Sequence, residues 1–187
     1  MYAASRKRIP DDWVTTMKAN KLNSCLAAVA TAIICTAPAV RADVVTSKEN
    51  SFIKDSLEAS MAETKLAEIA QTKATRPDIK AYAKMLVEHH SASNAELKKL
   101  AEMKGVKYED ALSVRHSSAV DKFDKYDGKE FDKDFLDQMI KDHEKVIKDF
   151  EDTSKDAKDP DVKKTIDKML PVLRGHLDKA KSLLGKQ

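Results

Sequence analysis

The chain has 187 residues, with 34 basic and 31 acidic side chains, a formal net charge of +3 and two cysteines. That length suits one domain once any leader is removed. The near balance of charge gives no electrostatic ground for a nucleic-acid partner, and two thiols are too few for a disulfide scaffold.

Residues 1–42 are unlike the rest. Lys18 and Lys21 precede an uncharged, largely apolar run from Leu26 to Val40, and Val40-Arg41-Ala42 places small side chains at the −3 and −1 positions of a signal-peptidase site. A basic start, a short apolar stretch and such an ending define a secretory signal. Ala37-Pro38-Ala39 is a second cleavage candidate. The apolar run is shorter than the ~20 residues that span a bilayer, so no transmembrane span is expected after cleavage, and an uncleaved anchor is the alternative. Met17 opens a better signal than Met1, because Pro10, Asp11, Asp12 and Trp13 are unusual ahead of a leader. Neither Cys25 nor Cys35 has lipobox surroundings.

Removal of residues 1–42 takes six basic and two acidic residues and both cysteines, leaving 28 basic and 29 acidic side chains in residues 43–187. The basic character therefore belongs to the leader. Residues 43–187 are expected to reach the periplasm as one all-α domain.

Four long helices are expected. The first spans about Ser47 to Ala74, opened by Thr46 and Glu49 in a capping-box relation and stopped before Arg76-Pro77. The second spans about Asp78 to Lys104 and ends at Gly105. A polar stretch, Val106 to Gly128, follows, with a short helix near Ser117–Lys125. The third long helix spans about Lys129 to Ser154, and the fourth about Asp161 to Leu184, with Pro160 at its start and Pro171 inside it. Each carries an apolar stripe opposite charged residues. Two tight helix hairpins joined by one long crossover describe an antiparallel, ferritin-like four-helix bundle.

Internal similarity supports the pairing. Phe52-Ile53-Lys54-Asp55-Ser56-Leu57 and Phe131-Asp132-Lys133-Asp134-Phe135-Leu136 share F-x-K-D-x-L at an offset of 79. Pro77-Asp78-Ile79-Lys80 and Pro160-Asp161-Val162-Lys163 repeat at an offset of 83. The domain reads as a duplicated helix hairpin.

Four polar residues interrupt the apolar stripes: Glu63, His90, His143 and His176, one near the middle of each long helix. In an antiparallel bundle, mid-helix positions share one level, so these four side chains are expected to converge. Three imidazoles and a carboxylate suit a divalent transition metal such as zinc, iron, copper or manganese. Glu88, His89 and Asp142 are neighbours placed to orient the rings. The competing reading is a set of core histidines satisfied by hydrogen bonds, with Glu63 as a partner. No histidine has an acid three residues before it, so the Glu-x-x-His signature of di-iron bundles is absent. Phosphate loops, nucleophile elbows and, after residue 42, cysteine nucleophiles are also missing from the sequence.

Three blocks resemble a known family. Tyr82-Ala83-Lys84-Met85-Leu86-Val87-Glu88-His89-His90 with Asn94 and Leu97 is similar to its F-A-x-x-M-x-x-D-H-x-x-x-N-x-x-L pattern. Phe131-Asp132 and Phe135 leading to Asp142-His143, and Leu170-Pro171 with Leu173 and His176-Leu177, resemble its other two blocks. From about Ser51 to Leu184 the chain resembles DUF4142, a bacterial domain of unknown function placed among ferritin-like folds and typically exported. His89 stands where the family has Asp. The resemblance implies the fold and export and leaves function open.

Two functional readings stand at this level. One is a non-catalytic, exported, stress-related binding module of the bacterial envelope, with an envelope protein or a second copy as partner. The other is a metal-binding bundle. A partner-docking role predicts an exposed apolar patch around Val120 and Phe123.

Overall fold

A computed structural model describes residues 45–186, so the signal peptide expected at 1–42 and the Met17 start lie outside the described residues. Five α-helices make up the described chain: α1 Ser47–Lys73, α2 Pro77–Lys104, α3 Val114–Phe123, α4 Gly128–Asp156 and α5 Pro160–Leu184. Among the described residues there is no strand, and no helix is long and apolar enough to cross a membrane.

The helix ends follow local chemistry. Thr46 caps α1: its hydroxyl accepts from the Glu49 amide, and Glu49 returns the bond to the Thr46 amide at 2.8 Å. Gly105 closes α2 at φ 66°, a left-handed conformation cheap only for glycine. Asp159 caps α5, accepting from the amides of Asp161 and Val162. Pro160 occupies the first turn, where its missing N–H is not needed, and the helix continues through Pro171.

Contacts fix the directions. Phe52 meets Phe150 at 4.8 Å between ring centroids, while Thr75 at the far end of α1 bonds Asp132, so α1 and α4 run antiparallel. Glu151 pairs with Arg174 and Glu144 with Lys181, both at 2.7 Å, which sets α4 against α5. Lys104 pairs with Asp161, and the Tyr82 hydroxyl donates to the His176 carbonyl, which sets α2 against α5. With α1 and α2 joined by a tight turn, α2 and α4 must run the same way. The segment between them carries the chain back along the molecule. Within that segment, α3 packs on α1, where Glu58 accepts from the Ser113 amide and meets His116 Nδ1, both at 2.7 Å.

The expected patch around Val120 and Phe123 is not an exposed one. Phe123 is buried edge-on against Phe131 and Tyr126, and Val120 is half-buried against the same cluster, because α3 turns its apolar face inward.

Two apolar clusters form the core. One gathers Phe52, Ile53, Leu57, Leu97, Phe150 and Ile166. The other gathers Leu66, Tyr82, Leu86, Phe135, Met139 and Leu183. Along every long helix the residues between the clusters include a buried polar one.

The duplication is visible as a pair of clamps. Buried Asp132 on α4 accepts from the amides of Thr75 and Arg76 and from the Thr75 hydroxyl, tying down the α1–α2 turn. Buried Glu49 on α1 accepts from the amides of Lys158 and Asp159, tying down the α4–α5 turn. Glu49 and Asp132 are 83 residues apart, as are the helix-ending Ala74 and Ala157, and Pro77 and Pro160. The structural repeat is therefore 83 throughout. The F-x-K-D-x-L match at 79 lies one helical turn out of that register.

Burial pushes the Glu49 carboxyl up, but its hydrogen bonds from Asp159, Thr46 and Lys158 outweigh this and bring it to about 2, below the ordinary 4.5. Its contribution is present above 4.5 and is lost as pH falls toward 2. Replacing either clamp leaves buried amides unsatisfied. D132A and E49A are each expected to cost about 3 kcal/mol and about 10 °C in Tm, measured by thermal denaturation at pH 7. The E49A deficit should narrow as pH falls from about 5 toward 2. A deficit independent of pH in that range would show the carboxylate to be idle.

Candidate metal centre

Glu63, His90, His143 and His176 are delivered by α1, α2, α4 and α5, and all four side chains are buried. Their depth follows from the pattern. Leu57 and Leu66 flank Glu63, Leu86 and Leu97 flank His90, Met139 and Ile147 flank His143, and Leu173 and Ala180 flank His176. Each flanking pair belongs to the two different apolar clusters. The polar level is thus the boundary between the two halves of the core.

The three imidazoles crowd together. Ring centroids are 5.8 Å apart for His90 and His143, and 5.2 Å for each of the other two pairs. One nitrogen from each ring lies within 4.8 Å of the others, so the triad can offer three ligands to one ion. Glu63 sits beside it: Oε2 is 3.1 Å from His90 Nε2, and Oε1 is 3.7 Å from His143 Nδ1. Neither His90 Nε2 nor Glu63 Oε1 has a hydrogen-bond partner.

The opposite edge of each ring is anchored. His90 Nδ1 lies 3.1 Å from the Ser60 hydroxyl. His143 Nδ1 lies 2.9 Å from the Met139 carbonyl, which can only accept, so Nδ1 donates and Nε2 carries the lone pair. That lone pair faces His176 Nδ1 at 3.2 Å. On its far side, His176 Nε2 lies 2.9 Å from His89 Nδ1.

Of the three expected orienting residues, His89 alone touches a ring of the triad. Glu88 is exposed and faces Lys84 at 4.0 Å, because its position on α2 points away from the core. Asp142 accepts from Gln138 at 2.7 Å and acts on the centre only by its nearness to Glu63. Ser60 and Tyr82 are contributors that sequence reasoning did not single out. A serine on an apolar stripe reads as a neutral small residue, and Tyr82 reads as core until its hydroxyl is seen on the His176 carbonyl.

Burial sets the charge state. It pushes the Glu63 carboxyl up to about 8, with Asp142 adding to the rise. It pulls His143 down to about 4 against the Met139 hydrogen bond, and His176 down to about 3 with help from His143 and His89. His90 is pulled well below its ordinary value by burial and then by the neighbouring imidazoles. Near neutral pH the centre is therefore four uncharged groups, not an ion pair, and every imidazole keeps a lone pair.

The signs give a pH test on metal-free protein. Glu63 keeps its proton in the fold up to about 8 but loses it near 4.5 when unfolded, so stability drops as pH climbs through that window. The histidines refuse protons that the unfolded chain accepts near 6.5, so stability also drops as pH falls from there toward about 4. E63Q should raise Tm at pH 8.5, relieving a penalty on the order of 5 kcal/mol, and change it little at pH 5. Equal effects at both pH values would contradict a protonated Glu63.

The fold is shared with proteins of known structure. A DUF305 fragment from Deinococcus radiodurans superposes with a TM-score of 0.68 at 16% identity, covering 77% of this chain and 99% of that one. CopM in its Cu(I)-bound form gives 0.63 at 20% identity, covering 74% and 96%, and the Cu(II)-bound form gives 0.63 at 19% over the same shares. At these identities the likeness is one of fold. No curated protein sequence matches the chain. The profile of DUF4142, a domain of unknown function, matches residues 35–183, and the chain belongs to that family.

Proposed function

We propose that this protein is a non-catalytic, exported metal-binding module, a ferritin-like four-helix bundle with α3 in its crossover, holding one transition-metal ion on His90, His143 and His176. In this reading residues 43–187 are the mature periplasmic domain, released by cleavage after Ala42 from a precursor that starts at Met17. The stress-related binding role expected from sequence then has a chemical content: the ligand is a metal ion.

One observation carries the reading. Each of the three rings has one nitrogen anchored, on Ser60, on Met139 or on His89, and the other turned toward the shared centre. Metal-binding histidines are held in this way, with the distal nitrogen fixed so that the ligand nitrogen is aimed. Glu63 Oε1 is left without a hydrogen-bond partner beside the rings, where buried polar atoms are normally paired. A cavity of about 20 Å³ lined by Glu63, His90, Met169 and His176 adjoins the rings, room for a single water-sized guest.

The donor set selects the ion. Neutral imidazoles suit copper, zinc and iron and are poor ligands for calcium or magnesium. Bonds of about 2.0 Å would set two ligand nitrogens roughly 3.3 Å apart, close to the 3.2 Å between His143 Nε2 and His176 Nδ1. Glu63 can join by releasing its proton, which adds one negative charge beside the cation. The copper- and silver-bound CopM structures of similar fold put copper first among ions to test. Bound metal would be held by the imidazole lone pairs, with its charge offset in part if Glu63 gives up its proton, and no catalytic group is assigned.

Tag-free mature protein should bind one equivalent of copper or zinc by calorimetry and elemental analysis. Metal at about 100 times Kd should add about 2.7 kcal/mol of stability. H143A should lose the metal. Because removing a core ring can unfold the domain, H176N serves as a second variant that keeps a polar side chain of smaller reach. No stoichiometric metal in the wild type, with Tm unmoved by zinc, iron, copper or manganese, would end this reading.

A further inference from the structure

The triad is closed to solvent by its helices: His143 is 0% exposed, and His90 and His176 are each 3% exposed. An ion must therefore be passed in. His89, on the outer side of α2, is exposed, yet its Nδ1 lies 2.9 Å from Nε2 of buried His176, with the rings stacked at 5.1 Å and 20°. It opens on a surface recess of about 220 Å³ between α2 and α5, lined also by Ser93, Glu96, Met169 and Val172.

We propose that His89 is the loading ligand of the centre: an ion is first held between His89 and the outer nitrogen of His176, then passes to the triad. The inference rests on the metal-binding reading above and adds the route.

The geometry makes the first step inexpensive. Two nitrogens 2.9 Å apart are near the roughly 3.3 Å span of two imidazoles on one ion. The proton on His89 Nδ1 moves to Nε2 of the same exposed ring through water, so the lone pair opens with no change in net protonation. His176 keeps its inner Nδ1–H on His143 while the ion sits outside. Transfer inward then needs one proton to move from Nδ1 to Nε2 of His176 as the ion takes the inner lone pair. Imidazole nitrogen thus lines the path from the recess to the centre, through His89, His176 and His143 in turn.

A second opening exists on the α1–α4 face, opposite α2–α5. It is a groove of about 460 Å³ beneath α3, lined by Glu58, His116, Asp142 and Glu63 among others. Two of its carboxylates are engaged, Glu58 with Ser113 and His116, and Asp142 with Gln138. Glu63, at the buried edge of this groove, is its link to the triad, 3.1 Å from His90 Nε2, whereas the link on the α2–α5 side is through imidazoles alone.

Stopped-flow loading of copper or zinc separates the roles. In H89A, association should slow by about tenfold or more; because His89 also anchors His176, Kd should weaken as well, by about 10- to 100-fold, and the association rate is the readout that separates the two roles. If His89 only orients His176, the whole loss of affinity should appear as faster dissociation with association unchanged, which overturns the proposal. Slowed loading in H116A with normal loading in H89A overturns it too and assigns the groove beneath α3. Because His89 is exposed, H89A should retain the wild-type far-UV spectrum and Tm. A wild type that binds no ion defeats the metal reading itself, whereas wild-type binding with unaltered H89A kinetics defeats only the route.

Discussion

A layer of polar side chains cuts the apolar core of this bundle in two, and the rest of the structure is arranged around that layer. Glu63, His90, His143 and His176 sit at one level between two hydrophobic clusters. An unsatisfied polar group in such a place costs free energy on the scale of the fold's whole stability. The structure meets this in two ways. It removes charge, holding the carboxyl protonated and the imidazoles neutral at pH 7. It also gives the outer edge of each ring a partner. What it leaves open is the centre, where Glu63 Oε1 has no partner; in the metal-binding reading proposed above, a cation completes it. The clamps at the two ends of the molecule, Asp132 and Glu49, keep the helices in the register that puts the four residues at a common depth.

The duplication explains why the layer is where it is and why it is lopsided. With a repeat of 83 residues, Ser60 is the counterpart of His143, and Ser93 is the counterpart of His176. Both serines face the small cavity beside the triad. The same two positions of each hairpin thus carry polar groups, hydroxyls in the first copy and imidazoles in the second. His90 and Glu63 have no such counterparts, as Leu173 and Val146 occupy the matching places. A symmetric scaffold carries an asymmetric site, with Ser60 reduced to anchoring His90.

Helix positions were legible in the sequence because caps and breakers are local signals. Thr46 with Glu49, Gly105, Pro77 and Pro160 each act within a turn of their own position, and the observed ends fall within a few residues of those signals. The gathering of Glu63 with the three histidines was legible for a different reason. A polar residue on an apolar stripe must be buried, and antiparallel mid-helix positions share a depth. What stayed hidden depended on rotation about a helix axis and on side-chain reach. Glu88 and His89 are consecutive on α2, yet one faces solvent and the other meets His176. Phe123 read as exposed because its partner Phe131 comes from α4, beyond the crossover. The F-x-K-D-x-L echo misled by one turn because a helix repeats its face every 3–4 residues, so a match shifted by four keeps the same stripe.

His89 also accounts for the departure from the family pattern noted in the sequence. An aspartate at this position would only accept, so it would take a proton from His176 Nε2 and leave the inner Nδ1 as a lone pair ready for an ion. A histidine there can do either. In the metal-free protein the chain of bonds runs inward, from His89 Nδ1–H to His176 Nε2 and from His176 Nδ1–H to His143 Nε2, fixed at its end by the Met139 carbonyl. With an ion on the inner nitrogen of His176, Nε2 must carry the proton and His89 Nδ1 must accept it, so the outer bond reverses. The substitution exchanges a fixed anchor for a reversible one. In the metal-binding reading, the empty and loaded centres differ in the tautomers of two rings, one buried and one at the surface, so that a residue solvent can reach would report the occupancy of the core.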